Sequence, residues 1–154
     1  MGVLGSGKTI VGQKLAEKLD CGFYDGDDYH PPKNREKMSK GIPLTDEDRE
    51  PWLHGVKGVI DGEIFAGNDA VIACSALKQK YRDYLKLNRP EIKLVYLKEN
   101  KGLIEKRLKN REGHFVAPSL LDSQIEALEE PKKALVIDIQ KAIDDIVDEI
   151  LNYN

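Results

Sequence analysis

Short apolar runs alternate with amphipathic segments along the whole chain. Four of the runs are typical of buried strands, because they are short and rich in β-branched, aromatic or small residues. They cover 22–27, 70–75, 92–97 and the stretch that begins at Ala134. Strands that alternate with helices predict a parallel sheet with helices on both faces, and ligands of such a sheet bind at the carboxyl edge of its strands.

The segments between these runs predict helices. After Lys8, apolar residues recur at four-residue spacing at Val11, Leu15 and Leu19, which is typical of one face of a helix. One further helix is expected to start near Pro31, and another to start after Thr45, which would serve as its N-cap. Two more are expected to cover 81–87 and 103–109, and a last amphipathic helix to start at Ile143.

The chain opens with MGVLGSGKT, which contains the phosphate-loop pattern G-x-x-x-x-G-K-[ST] from Gly2 to Thr9. Such a loop wraps backbone N–H groups around nucleotide phosphates while its lysine, here Lys8, reaches the outer ones. The predicted helix behind the loop directs its positive N-terminus at the same anion. The hydroxyl of Thr9 is suited to ligate magnesium. The motif therefore predicts binding of a magnesium nucleotide and leaves the phosphoryl acceptor open.

Composition narrows the class of protein. A chain of 154 residues with 40% hydrophobic content suits a single globular domain spanning 1–154. The formal net charge of −3, with acidic and basic residues interleaved, argues against a nucleic-acid partner. Cys21 and Cys74 are not spaced as a metal pair, and no apolar run approaches the ~18 residues of a membrane span. Without a visible signal peptide, we expect a cytoplasmic protein that has no membrane partner.

Two of the predicted strands end in polar residues at the edge where ligands should bind. Asp25 and Asp27 suit a carboxylate that holds a magnesium-bound water or accepts a hydroxyl proton, although Asp-Gly-Asp is also ordinary turn chemistry. After the second strand come Ser75, Lys78 and Arg82. Lys78 and Arg82 share a helix face that suits an anionic ligand, or that is simply a solvated basic surface.

The segment at about 28–55 has the character of a substrate-binding cap, because its prolines, charges and single tryptophan make a poor core. His30 in this segment is interpreted as a substrate contact or as a structural hydrogen-bonding residue, in preference to a general base. Trp52 is expected to contribute packing in preference to a stacking platform for a ligand.

These motifs carry a resemblance to a known family. In order and spacing, GVLGSGKT, FYDGDDYHPPKNREKMSKGIPLTDEDREPWL, CSALKQKYRD, REGHF and LLDSQIEALEEP resemble the gluconokinases of the phosphate-loop, shikimate-kinase-like type. The resemblance implies transfer of the ATP γ-phosphoryl group to the terminal hydroxyl of D-gluconate, giving 6-phosphogluconate and ADP. It also implies Mg²⁺, a five-stranded parallel sheet of order 2-3-1-4-5, and frequently a homodimer.

The resemblance further implies roles for individual residues on the nucleotide side of the site. Lys8, Asp27 and Arg111 are implied as catalytic, with Asp27 facing the acceptor hydroxyl. Thr9 and Asp25 are implied as metal-binding, the latter through water. The nucleotide-binding set is Gly2, Gly5, Ser6, Gly7, Lys8, Thr9, Arg107 and Arg111.

On the substrate side, the resemblance implies a polar and cationic pocket beneath a lid at about 111–119. The lid arginines, Arg107 and Arg111, would stabilise the negative charge that develops on the transferring phosphoryl group. The implied substrate-binding set is Asp27, His30, Arg35, Arg49, Lys78, Arg82, His114 and Gln124.

One departure from the resembling family concerns the start of the sheet. There a strand of about five apolar residues precedes the phosphate loop and lies at the centre of the sheet, whereas only Met1 precedes the loop here. We therefore expect a P-loop kinase fold that lacks its N-terminal central strand.

Three interpretations remain open at the level of sequence. The chain is an incomplete product of a gluconokinase gene; or it is a catalytically impaired short form that acts as a binding or regulatory partner; or it is a kinase of a related acid such as shikimate. The HPPKNREKM segment argues against the third.

Overall fold

The structure is a computed structural model, which describes residues 1–98, 101–110 and 118–153. Helices and short strands alternate along these residues. The helices are α1 (Lys8–Leu19), α2 (Pro32–Ser39), α3 (Asp46–Ala66), α4 (Gln79–Tyr84), α5 (Lys101–Lys109), α6 (Pro118–Ala127) and α7 (Ile143–Leu151). The strands are β1 (Gly22–Asp25), β2 (Ala70–Ala73), β3 (Val95–Lys98) and β4 (Leu135–Asp138). None of the described helices is both long enough and apolar enough to cross a membrane.

All four predicted strands are present, and they pair in parallel. β1 pairs with β2, so that Gly22 lies opposite Ala70 and Asp25 lies opposite Ala73. β3 pairs with β4 from Val95 opposite Leu135 to Lys98 opposite Asp138. Parallel pairing brings the carboxyl ends of the two strands in each pair to the same edge. The predicted α/β class is confirmed.

Helices cover both faces of the strands. Successive residues of a strand point to opposite faces, and β2 follows this rule. Val71 packs with α1 and α7, whereas Ile72 packs with α3 and with the segment around α4. The predicted arrangement of three layers is therefore confirmed. Thr45 also caps α3 as predicted, because its hydroxyl accepts a hydrogen bond from the Asp48 amide.

The two strand pairs meet at a seam that contains Met1. The Met1 amino group donates to the Val95 carbonyl, and the Leu97 amide donates to the Met1 carbonyl at 3.0 Å. On the other side, the Gly2 amide donates to the Ser75 carbonyl at 3.4 Å. These contacts set the spatial order β1-β2, Met1, β3-β4. The order is the expected 2-3-1-4-5, with Met1 and Gly2 alone in the position of strand 1 among the described residues.

A cavity of about 460 Å³ continues the seam from Met1. Its walls include the exposed edges of β2 and β3 and apolar side chains of α1 and α3, among them Leu15 and Ile60. Burial, with a smaller contribution from the Lys8 charge, lowers the pKa of the Met1 amino group to about 5. The seam thus combines unpaired strand edges with an amino group that has lost its hydration. Both lower the free energy of unfolding.

Helix α6 was not predicted, although it helps to hold the phosphate loop. Leu121 of this helix packs with Val3, Leu77 and Ile104. Its partly buried Ile125 packs against the same cluster. Leu121 and Ile125 stand four residues apart, which is the spacing of one helix face. Both lie in the motif LLDSQIEALEEP, for which the sequence analysis predicts no helix.

We expect that joining about five apolar β-branched residues directly before Met1 will stabilise the protein. The added strand would pair with β2 and β3, and the buried amino group would become a peptide N–H. A gain of about 2 kcal/mol would raise the melting temperature by roughly 4–8 °C for a domain of this size. Thermal unfolding followed by circular dichroism measures the change. The matched control carries an equally long Gly/Ser extension, and equal melting temperatures for the two extensions would contradict the interpretation of the seam.

Candidate active site

The phosphate loop runs from the seam into α1 with its glycines in the left-handed region. Gly5 has a φ of 80° and Gly7 has a φ of 88°, a conformation that glycine adopts without strain. Gly7 is the N-cap of α1, and no side chain caps this helix. The first-turn N–H groups therefore have no side-chain acceptor and suit a bound anion. At Gly2 a Cβ atom would lie 2.8 Å from the Leu97 carbonyl oxygen, so this glycine allows the loop to approach β3.

Two polar side chains of the loop point inward. The Lys8 ammonium donates to the Val3 carbonyl at 3.0 Å, across the loop. Burial lowers the pKa of Lys8, and the Asp27 carboxylate opposes that effect. The Ser6 hydroxyl is buried and has no hydrogen-bond partner in the described part of the chain. An unpaired buried hydroxyl and a desolvated ammonium both fit a loop that binds phosphate oxygens.

The side chain of Thr9 meets that of Asp25 where α1 begins and β1 ends. The Thr9 hydroxyl donates to one carboxylate oxygen of Asp25 at 2.7 Å, and the other oxygen accepts from the Asp27 amide at 3.0 Å. Hydroxyl and carboxylate oxygens are ligands that Mg²⁺ prefers. Across residues 1–98, 101–110 and 118–153, no group of three or more His, Cys, Asp or Glu side chains could hold a metal ion. The predicted pair places two oxygen atoms of the kinds that Mg²⁺ prefers beside each other.

Asp27 lies in a short 3₁₀ turn, Gly26–Tyr29, that follows β1. Its side chain opens to solvent, yet the surrounding protein desolvates the carboxylate and raises its pKa. The nearby Lys8 ammonium opposes this shift. A carboxylate with a raised pKa is a stronger proton acceptor than an ordinary aspartate, which suits a general base.

Asp27 and Lys8 share a cavity of about 210 Å³. The cavity lies at the carboxyl edge of β1 and β2 and is bounded by residues of the cap segment and of α6. Five residues of the predicted site line it together: Lys8, Asp27, His30, Arg49 and Gln124. The Gln124 side-chain oxygen also accepts from the Leu4 amide at 2.7 Å, which ties α6 to the phosphate loop.

His30 is held between an aromatic ring and an amide. Its ring stacks on Trp52, with centroids 4.9 Å apart and planes 10° apart. The Trp52 indole N–H in turn donates to the Gly26 carbonyl at 2.7 Å, at the start of the turn that carries Asp27. Burial lowers the pKa of His30 to about 4, and the positive charges of Arg49 and Arg35 act in the same direction. The imidazole is therefore neutral near pH 7.

Arg35 and Arg49 differ in their placement. Arg35 is exposed on α2 and braces the turn, because it donates to the carbonyls of His30 at 3.1 Å and of Asp28 at 2.6 Å. Arg49 donates to the Leu44 carbonyl at 2.6 Å and lies 5.8 Å from the centre of the Tyr81 ring. Of the two, Arg49 is the one that lines the cavity.

The structure does not bring Lys78 and Arg82 into this cavity. Lys78 forms an ion pair with Asp46 at 2.9 Å. Arg82 is only 3% exposed, and its guanidinium donates to the carbonyls of Ala76, Leu77 and Glu129. In this arrangement Arg82 stabilises the turn after β2.

The remaining predicted residues lie near or beyond the limits of the described structure. Arg107 is exposed on α5 and donates to the Ile139 carbonyl at 2.7 Å. Arg111, His114 and most of the predicted lid at 111–119 lie outside the described residues.

Sequence reasoning missed Asn34 as a member of the site. This residue is 0% exposed, and its amide lies between the His30 ring and the backbone of Asp48. The four-residue spacing from His30 to Asn34 was visible, but its meaning depends on the packing of α2 against α3.

Comparisons with known proteins agree with this geometry. The family model described as shikimate kinase matches residues 4–151. A probable gluconokinase of Dictyostelium discoideum is 43% identical, covering 99% of this chain and 83% of that protein. The thermoresistant gluconokinase of Escherichia coli (strain K12) is 42% identical, covering 96% and 86%. A crystal structure of a gluconokinase from Sinorhizobium meliloti 1021 superposes with a TM-score of 0.86 at 40% identity, covering 98% and 86%.

Proposed function

The chain belongs to the gluconokinases of the shikimate kinase family, and on that premise we propose that it transfers the γ-phosphoryl group of ATP to the terminal hydroxyl of D-gluconate. The products are 6-phosphogluconate and ADP. One observation carries the assignment to this site: a single small cavity joins the phosphate-loop lysine, Lys8, with the carboxylate of Asp27 and with polar side chains suited to a sugar acid.

The phosphate loop and the start of α1 hold the nucleotide in this proposal. Backbone N–H groups of the loop and the side chains of Ser6 and Lys8 bind its phosphates. When bound, ATP would supply the phosphoryl group and Mg²⁺ would neutralise negative charge on it. Thr9 and Asp25 are the residues that would hold the metal, Asp25 by way of water. The hydrogen bond between these two side chains supports the assignment, since it places the Thr9 hydroxyl beside the Asp25 carboxylate.

Asp27 accepts the proton of the gluconate hydroxyl as the new P–O bond forms and the bond from the γ-phosphorus to the bridging oxygen of ADP breaks. The proton then leaves to solvent through the open side of the turn. Lys8 stands beside both reacting groups and offsets their negative charge. The desolvation that raises the pKa of Asp27 supports this role.

Arg49, His30 and Gln124 bind the sugar acid. Arg49 supplies the positive charge for the gluconate carboxylate, and the neutral side chains of His30 and Gln124 supply hydrogen bonds. Lys78 and Arg82 keep a supporting role around this pocket, because both side chains are occupied by protein oxygens. Arg107, Arg111 and His114 are assigned by resemblance to the closure over the phosphoryl group.

We also propose a cellular location, an oligomeric state and a set of partners for the enzyme. The location that we propose is cytoplasmic, and the family resemblance implies a homodimer. Gluconate and ATP are its ligands, and we propose no nucleic-acid or membrane partner.

The test is ADP release by the purified protein with gluconate, shikimate and other sugar acids as acceptors. We expect turnover that depends on gluconate, with at least a hundredfold lower kcat/KM for shikimate, because the two acids differ in shape and in hydroxyl placement. The chain is assayed beside the variant with the apolar strand before Met1, so that poor folding is separated from a wrong substrate. Turnover of shikimate without turnover of gluconate in both proteins would overturn the proposal.

Asp25→Asn is expected to weaken activity through the metal. Loss of the carboxylate charge beside Thr9 should lower kcat at least tenfold or raise the Mg²⁺ concentration for half-maximal rate by a similar factor. A magnesium titration of the rate measures both quantities. Asp28→Asn is the matched control, since Asp28 is an exposed carboxylate in the same turn. Normal activity and a normal titration for Asp25→Asn would remove Asp25 from the metal site.

A further inference from the structure

The surroundings of His30 determine which of its two ring nitrogens carries the proton. Its ring lines the cavity, one ring face is stacked on Trp52, and its Nδ1 atom lies 3.3 Å from the side-chain nitrogen of Asn34. Among the described residues, the His30 ring has a hydrogen-bond partner at Nδ1 and none at Nε2. In a neutral ring, Nε2 donates a hydrogen bond only if Nδ1 does not carry the proton.

The orientation of the Asn34 amide is fixed by the backbone. Its side-chain nitrogen lies 2.6 Å from the Asp48 carbonyl oxygen, which is able only to accept. If the amide were turned over, two oxygens would face each other at that distance. The nitrogen is therefore the NH₂ group, and the capped start of α3 fixes the position of its acceptor. The buried Oδ1 of Asn34 is then left without a hydrogen-bond partner among the described residues, because the two contacts of the NH₂ group decide the orientation.

The same NH₂ group then sets the tautomer of His30. One of its hydrogens points to the Asp48 carbonyl, and the other is available to Nδ1 of His30, which must accept it. An imidazole whose Nδ1 accepts is neutral and carries its proton on Nε2. A protonated ring would place two N–H groups against each other, and the positive charges of Arg35 and Arg49 oppose it as well.

We propose that Asn34 is a positioning residue that fixes His30 as the neutral Nε2–H tautomer, so that His30 donates a hydrogen bond to an oxygen of the sugar acid in the cavity. The proposal deepens the function proposed above and rests on it. It also explains why a fully buried amide stands at the junction of α2 and α3, where an apolar side chain would pack at lower cost.

The tautomer is measured directly, without substrate. In protein labelled with ¹⁵N-histidine, long-range ¹H–¹⁵N correlation spectra distinguish protonated from unprotonated ring nitrogens. The chain has three histidines, and the His30 signals are assigned by their loss in His30→Phe. We expect Nδ1 unprotonated and Nε2 protonated near pH 7. A protonated Nδ1, or two nitrogens with averaged shifts, would overturn the proposal.

Kinetics of Asn34→Leu test the consequence for substrate. This variant keeps the approximate shape of the side chain but removes its donor. We expect the KM for gluconate to rise about three- to tenfold, which is the effect of one neutral hydrogen bond, while kcat and the KM for ATP change less than twofold. An unchanged KM for gluconate in folded Asn34→Leu would contradict the proposal.

Two further variants separate positioning from general stability. Lys37→Met removes the ion pair between Lys37 and Asp48, whose charged groups lie 2.7 Å apart. Like the hydrogen bond of Asn34, this ion pair links α2 to α3, but it does not involve His30. The variant should lower the melting temperature without changing the KM for gluconate or the tautomer. In a His30→Phe background, Asn34→Leu should have no additional effect on KM, because Asn34 acts through His30.

An equal rise in KM for Lys37→Met and Asn34→Leu would show that Asn34 is only a structural link. If Asn34→Leu does not fold, the tautomer of the parent protein still decides the proposal. Absence of gluconate turnover in the parent protein would instead overturn the proposed function, while the tautomer in the unliganded protein would be unaffected.

Discussion

Parallel pairing of β1 with β2 is the constraint on which the site depends. It places Asp25 opposite Ala73, so that the turn after β1 and the segment after β2 leave the sheet at the same edge. The phosphate loop reaches this edge through the hydrogen bond from the Gly2 amide to the Ser75 carbonyl. The hydrogen bond from Thr9 to Asp25 then joins helix α1 to the end of β1. Because of this pairing, the phosphate loop, the turn after β1 and the segment after β2 meet at one edge of the sheet, although they are distant in sequence.

The two halves of the sheet meet at the seam around Met1. The two halves of the sheet are each paired internally, and a few backbone hydrogen bonds at Met1 and Gly2 join them. The phosphate loop begins at this seam, so the stability of the seam and the geometry of the loop are coupled. Local opening costs least where apolar contacts are few and backbone groups are unpaired.

Local pattern was sufficient to predict the strands, the helix behind the phosphate loop and the Thr45 cap, because each depends on residues close in sequence. It was not sufficient for side chains whose role depends on distant packing. Lys78 and Arg82 were expected in the substrate pocket, yet Arg82 is surrounded by carbonyl oxygens that only the folded chain brings together. Asn34 acquires its role from the Asp48 carbonyl, fourteen positions away on another helix. Helix α6 shows a different limit, since its apolar spacing was visible but was not interpreted as a helix.

The central claim is that Asp27 accepts the proton of the gluconate hydroxyl, and the pH dependence of kcat/KM for gluconate tests it most directly. The carboxylate must be ionised to act, so the rate falls as the pH decreases through its pKa. Since desolvation raises that pKa above the usual 3.8, the acid limb should have its midpoint above this value. Asp27→Asn should remove the limb and lower kcat by about 10²–10⁴-fold. An Asp27→Asn enzyme that keeps the same acid limb, or more than about a tenth of the parent activity, would contradict the account.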